Sequence, residues 1–220
     1  MMFPLAKIIG FDLDQTLYPK SPQIDAAIQA YIYAKIAQRL SVPLTIAKEK
    51  FDERYQSGKG MSGSKTLIDL GFAHDEAKDI VQEALENADI AEFLTPDAEV
   101  LQLLSDLQSR YTAIDIVTGS NHRTAMAKLE KLQIPTALFT NVITRDDGSK
   151  SDLSSYKEWL AQHPNHSVEQ FLYIGDRVSS DYEKPKELGI ASILVNVREY
   201  DDAVLCPQLS SIRDLREILL

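Results

Sequence analysis

At 220 residues, with 44% hydrophobic and 25% charged positions, the chain is long enough to bury a core and too apolar to remain disordered. Its 33 acidic against 23 basic side chains leave a formal charge of -10, which repels a nucleic-acid backbone and argues against a polymeric nucleic-acid partner. The single cysteine, Cys206, excludes a disulfide framework or an all-cysteine zinc site, and the absence of a secretory-leader pattern or a run of membrane-spanning length sets the expectation of a cytoplasmic protein with no membrane partner.

Leu5 to Phe11 (LAKIIGF) is a short, mostly apolar run that ends at two aspartates and reads as a buried strand. From Ser21 to about Asn87 the spacing turns helical, with Ile24, Ile28, Ile32 and Ile36 on one stripe that reads as helical core. The glycines of QSGKGMSGSK (56–65) interrupt this region and read as a loop between helices. After Thr95-Pro96 the order becomes helix (97–109), strand (113–118), helix (123–132), strand (138–144), helix (152–162), strand (171–174) and strand (191–197). Such alternation predicts an α/β fold, a doubly wound parallel sheet with helices on both faces, built from residues 1–18 and 96–220. Residues 19–95 are expected to form an inserted all-helical domain.

Three strand ends carry chemistry. Asp12 and Asp14 follow the first strand in FDLDQTLY (11–18); in extended geometry residues two apart share a face, so both carboxylates can reach one spot beyond the sheet edge. Like charges that close are costly without a cation or a shared proton. Thr118, Gly119, Ser120 and Asn121 follow the second strand, at a strand-to-helix turn that can bind an oxyanion or simply cap the helix. Asp176 follows FLYIG (171–175), with Asp181 five positions on. Ligands of open α/β sheets bind beyond the carboxyl ends of the strands, where all three clusters fall.

DLDQT (12–16), IVTGSN (116–121), Lys150 and GDRVSSD (175–181) resemble, in order, the four motifs of the haloacid dehalogenase superfamily of phosphohydrolases. The helical insert after the first motif is similar to that superfamily's C1-type cap, and FDLDQTLYP (11–19) with YQSGKG (55–60) looks most like the pyrimidine 5′-nucleotidase-like branch. The resemblance implies a Mg²⁺-dependent phosphatase with Asp12 as nucleophile and Asp14 as general acid and base. It implies Mg²⁺ on the carboxylates of Asp12 and Asp176 and the backbone carbonyl of Asp14, with Asp181 orienting Asp176 or holding a metal-bound water. Thr118 and the amides of Gly119 and Ser120 would hold phosphoryl oxygens, Asn121 would stand beside them, Lys150 would offset the transferring charge, and Thr16 would fix the loop that aims Asp14.

The family's usual Lys-Pro is Lys150-Ser151 here, so Lys157 stays open as the motif lysine. The expected substrate is a small phosphorylated metabolite, first a nucleoside 5′-monophosphate, with Lys59 and Met61 of the glycine-rich loop reading the leaving group. A monomer or homodimer is expected. A phosphomutase, or a non-catalytic binding protein retaining the fold, is the alternative. His122 is expected to begin a helix, His163 and His166 to be loop histidines, and Asp115 has no functional account.

Overall fold

The computed structural model describes residues 3–19, 21–57, 63–88, 90–197 and 200–220. The chain divides into two compact units, Met1–Lys20 with Leu94–Leu220, and Ser21–Phe93.

The first unit is a doubly wound α/β fold around a five-stranded parallel sheet of β1 (Ile8–Phe11), β2 (Ala113–Val117), β3 (Val142–Ile143), β4 (Phe171–Gly175) and β5 (Ala191–Leu194), in the order β3-β2-β1-β4-β5. β1 is buried along its whole length and lies at the centre. It pairs in parallel with β2 on one side and β4 on the other, Ile8 lying opposite both Ala113 and Phe171. β3 and β5 form the edges. The strand order reverses between β1 and β4, which makes their carboxyl ends the crevice of the sheet.

Strand β3 is shorter than the 138–144 run suggests, because Thr136–Leu138 closes into a 3₁₀ turn before the chain reaches the sheet. α5 (Ala98–Arg110), α6 (His122–Lys131) and α7 (Ser154–Ala161) connect the strands. α8 (Lys184–Glu187) and α9 (Leu215–Leu219) are short helices that the sequence pattern does not reveal. Asp97 caps α5 through its Oδ1, which accepts the amides of Glu99 and Val100.

Trp159 of α7 packs on β1 at Gly10, where an added Cβ would come within 2.6 Å of the indole. Its Nε1 donates to Asp115 Oδ2 at 2.9 Å. The buried Asp115 carboxylate also accepts the Asn141 amide at 2.8 Å and meets His163 Nε2 at 2.6 Å. Asp115 is thus a buried polar hub that ties β2 to β3 and α7. His163 lies in the loop after α7, as expected, and is buried against this hub.

The second unit contains α1 (Pro22–Leu40), α2 (Leu44–Ser57), α3 (Gly63–Asp69) and α4 (His74–Asn87). Ser21 caps α1 by accepting the Ile24 amide at 3.2 Å, with Pro22 in the first turn. Ile32 and Ile36 of the apolar stripe pack with Phe51, Leu67 and Ile80 in this unit's core. Among the described residues no helix is long and apolar enough to cross a membrane.

Candidate active site

The site is assembled within the α/β unit. Asp12 prolongs β1, its amide donating to Ile174 O at 2.8 Å, so its carboxylate is carried by the fully buried central strand of the sheet. The chain then reverses at Gln15, whose φ of 59° is left-handed, and the amides of Thr16 and Leu17 both donate to Leu13 O. Asn196, just beyond β5, pins this turn by donating from Nδ2 to the carbonyls of Gln15 and Thr16 at 2.8 and 3.1 Å.

Lys150 Nζ lies 2.5 Å from Asp12 Oδ1 and 2.9 Å from Asp181 Oδ1, and sits over the Tyr173 ring. Lys157 is exposed on α7. Asp181 returns to the sheet edge because Val178–Glu183 forms a π-helical turn, a wide turn often found at functional sites. Its Oδ2 accepts the amides of Asp176 and Arg177 at 3.1 and 3.0 Å, and Tyr156 holds the turn by donating to Ser180 O at 2.7 Å. Only glycine fits at 175, since a Cβ there would run into the Asp181 side chain. Asp12, Asp176 and Asp181 each bring one carboxylate oxygen to within 4.8 Å of the others.

Asp14 has a separate set of partners. Its Oδ2 accepts from Ser120 Oγ at 2.6 Å, and its Oδ1 accepts from Tyr18 Oη at 2.7 Å and Lys128 Nζ at 2.5 Å. Thr16, expected to serve the aim of Asp14, instead donates its buried hydroxyl to Asp12 Oδ2 at 3.3 Å. Lys128, Tyr18 and Asn196 were not singled out by the sequence motifs. Only Lys128 leaves a signal there: positions 125, 128, 129 and 132 make the buried face of α6, and a lysine on such a face is rare without a partner.

At the end of β2 Thr118 is fully buried, and its Oγ1 accepts the Ser120 amide at 3.1 Å, so that amide is already engaged. Gly119 lies between them. Asn121 caps α6, its Oδ1 accepting the Thr124 amide at 2.9 Å, and His122 is the first residue of that helix. Lys59 and Met61 lie outside the described residues.

The two aspartates after β1 differ electrostatically. Burial pushes Asp12 up to about 7; Lys150 opposes this, while the charges of Asp181, Asp14 and Asp176 add to it. Burial also works to raise Asp14, but the Lys128 ammonium and the hydrogen bonds from Lys128, Ser120 and Tyr18 outweigh it and hold the carboxyl below its usual range. Asp181 is lowered in the same manner, burial being outweighed by Lys150 and then Arg177. Around Asp12, then, Lys150 and Arg177 face three converging carboxylates, Asp12, Asp176 and Asp181, and leave negative charge in excess. An all-oxygen donor set with excess negative charge fits a hard divalent cation, which prefers carboxylate and water oxygens.

A family model described as haloacid dehalogenase-like hydrolase matches residues 9–195. The chain is 26% identical over 205 residues to a glyceraldehyde 3-phosphate phosphatase of Methanocaldococcus jannaschii, covering 90% of this chain and 88% of that protein. It is 25% identical over 217 residues to a ribulose-1,5-bisphosphate 5-phosphatase of Halopiger xanaduensis, with the same coverage of 90% and 88%. Among solved structures, a haloacid dehalogenase-like family hydrolase from Streptococcus pneumoniae aligns with a TM-score of 0.67 at 20% identity, over 98% of this chain and 99% of that one. That likeness speaks for the fold.

Proposed function

The chain belongs to the haloacid dehalogenase-like hydrolase family, and from that premise we propose that it is a phosphatase of small phosphorylated metabolites. The observation that carries this reading is the separation of two aspartates only two positions apart: Asp12 shares Lys150 with Asp181 beside Asp176, while Asp14 has its own donors. Paired carboxylates in contrasting environments mark a division of roles.

In the proposed reaction an Asp12 carboxylate oxygen attacks phosphorus, the bond from phosphorus to the leaving oxygen breaks, and Asp14 delivers a proton to that oxygen. Asp14 then removes a proton from the water that attacks the aspartyl-phosphate, releasing inorganic phosphate and restoring Asp12. The Lys128 contact favours the carboxylate form needed in the second step. An entering phosphate dianion favours the protonated form needed in the first, since added negative charge raises a carboxyl's proton affinity. Lys150 keeps Asp12 and Asp181 in register and offsets charge on the transferring group.

Mg²⁺ held by Asp12 and Asp176, with Asp181 orienting Asp176 through its amide, would supply charge neutralisation of the substrate dianion. We assign the reading of the leaving group to the inserted helical unit, as a C1-type cap, because the strand-end residues address only the phosphoryl group. The two relatives, a glyceraldehyde 3-phosphate phosphatase and a ribulose-1,5-bisphosphate 5-phosphatase, favour sugar phosphates as the first class to test, ahead of the nucleoside 5′-monophosphates suggested by the likeness to the pyrimidine nucleotidase branch.

The test is release of inorganic phosphate from a panel of sugar phosphates and nucleoside monophosphates, with Mg²⁺ and with chelator, for the wild type and Asp12→Asn. Mg²⁺-dependent release abolished in the variant supports the reading. Undiminished release by the variant refutes the covalent route, and an isomeric product that keeps its phosphoryl group identifies a phosphomutase.

A further inference from the structure

We propose that Lys128 is the positioning residue of Asp14, a second lysine of the site dedicated to the proton-transferring carboxylate as Lys150 is to the attacking one. The inference rests on the phosphatase reading and on Asp14 as its acid and base. Lys128 sits seven residues into α6, on the face that also carries the buried Ala125 and Leu129, and its own side chain is 6% exposed. Placing an ammonium there costs desolvation that an apolar residue of the same length avoids, so packing alone does not explain it. The ammonium meets Asp14, a carboxylate of the site.

The geometry shows how it acts. A carboxylate on a single Cβ turns about two side-chain torsions, and proton transfer works only over hydrogen-bond distance to the reacting oxygen. Lys128 Nζ touches Asp14 Oδ1 at 2.5 Å and Ser120 Oγ at 3.1 Å, while Ser120 Oγ donates to Asp14 Oδ2 at 2.6 Å. The lysine therefore closes a three-membered ring of contacts around both carboxylate oxygens. Tyr18, four residues along the same turn, is the third donor to this carboxylate and the second to Oδ1. α6 thereby fixes a side chain of the turn that follows β1, and its own N-terminus is capped by Asn121 next to the same site.

If Lys128 acts through Asp14, its loss must resemble the loss of Asp14. Assistance to a leaving oxygen matters most for poor leaving groups. The experiment measures kcat and KM with Mg²⁺ for 4-nitrophenyl, phenyl and benzyl phosphate. For Lys128→Met we expect kcat to fall about 100-fold with benzyl phosphate and only about threefold with 4-nitrophenyl phosphate, with KM changing less than about threefold throughout. Asp14→Asn should show the same dependence on leaving group, and the double variant should be no slower than Asp14→Asn alone, because two residues acting as one unit are not additive. Lys128→Arg, which keeps the charge, should recover most of the benzyl phosphate rate.

A uniform loss across the three esters, or losses that multiply in the double variant, overturns the proposal. So does wild-type turnover of benzyl phosphate by Lys128→Met. If Lys128→Met does not fold, Lys128→Gln and Lys128→Arg carry the same comparison, and a flat loss in either overturns it equally. Asp12→Asn separates the two levels: a wild type inactive on all three esters, or an active Asp12→Asn, removes the phosphatase reading and this inference together. An inactive Asp12→Asn beside a flat Lys128 profile removes only the inference.

Discussion

Both units carry exposed ion pairs, Arg213 with Asp97 among them, but the α/β unit also draws charge inside. In the helical unit the described ion pairs lie at the surface: Lys35 with Glu83, Arg39 with Glu76, Lys48 with Asp52 and Arg54 with Asp69. In the α/β unit Lys150 and Lys128 are drawn inside with Asp12, Asp181 and Asp14, and Asp115 is enclosed with His163. Exposed pairs contribute little to stability, whereas buried ones carry a desolvation penalty that their attraction repays only with good geometry. Buried charge at the strand ends is therefore best explained by chemistry, and buried charge at Asp115 by architecture, since its partners are a strand, a helix and a loop of the fold itself. Substitutions can separate these three classes.

The largest effect is expected at Lys150. Lys150→Ala removes the cation shared by Asp12 and Asp181, and kcat for an aryl phosphate should fall about 1000-fold, or about 4 kcal/mol in the barrier. Lys157→Ala should change kcat by less than about twofold, since that residue is exposed on α7. Steady-state rates decide, and a larger loss at 157 would transfer the motif role to that residue.

Asp115→Ala should act on the fold instead. It strips the buried partner from Trp159, Asn141 and His163, and denaturant unfolding should show a loss of about 3 kcal/mol, while kcat per folded molecule stays within about threefold of wild type. A selective loss of kcat without a loss of stability would place Asp115 in the catalytic class.

These classes were unequally legible in the sequence. Apolar runs ending in acids announce β1 and β4, and period-two spacing puts Asp12 and Asp14 at one sheet edge, because both signals are local. The meeting of Lys150 with Asp12, across 138 positions, is set by tertiary folding and reached the sequence reading only through a motif resemblance. Lys128 had no motif to carry it, although its place on the buried face of α6 was visible. Asn196 left no trace: an asparagine after a strand looks the same whether it faces water or pins the turn after Asp14. The strand expected over 138–144 was overestimated because an edge segment needs only one partner and the 3₁₀ turn at Thr136–Leu138 takes up its start.

Metal binding probes the strand-end class without reference to turnover. A cation that binds the folded state raises Tm, by about 2.7 kcal/mol of stability at 100 times its Kd. Mg²⁺ should therefore raise the wild-type Tm, and Asp176→Asn should abolish most of the shift. The sign with pH follows from Asp12, whose proton affinity is raised to about 7: below that pH a proton competes with the cation, above it the carboxylate is free to bind. The Tm shift should be larger at pH 8 than at pH 5.5. A shift equal at both pH values, or unchanged in Asp176→Asn, would mean that the carboxylate cluster is not where Mg²⁺ binds.

The smallest expected effect lies in the surface class, at Arg39 and Glu76, which join α1 to α4 with Nε 3.1 Å from Oε1 and side chains 58% and 36% exposed. Arg39→Ala removes the pair and should cost only about 0.3 kcal/mol. Glu76 does more, because it is the third residue of α4 and its Oε2 also accepts the Ala73 amide at 3.4 Å, where Ala73 has no capping side chain of its own. Glu76→Ala should thus cost more than Arg39→Ala, by about 0.5 kcal/mol for the lost contact with the helix N-terminus. Salt tells the two contributions apart: at 1 M NaCl, where screening acts within about 3 Å, the Arg39→Ala effect should vanish while part of the Glu76→Ala effect persists through its hydrogen bond to the helix N-terminus. Equal costs for the two variants, both erased by salt, would reduce Glu76 to an ion-pair partner; a cost above about 1 kcal/mol for Arg39→Ala would mean that the helical unit, too, draws stability from its charges.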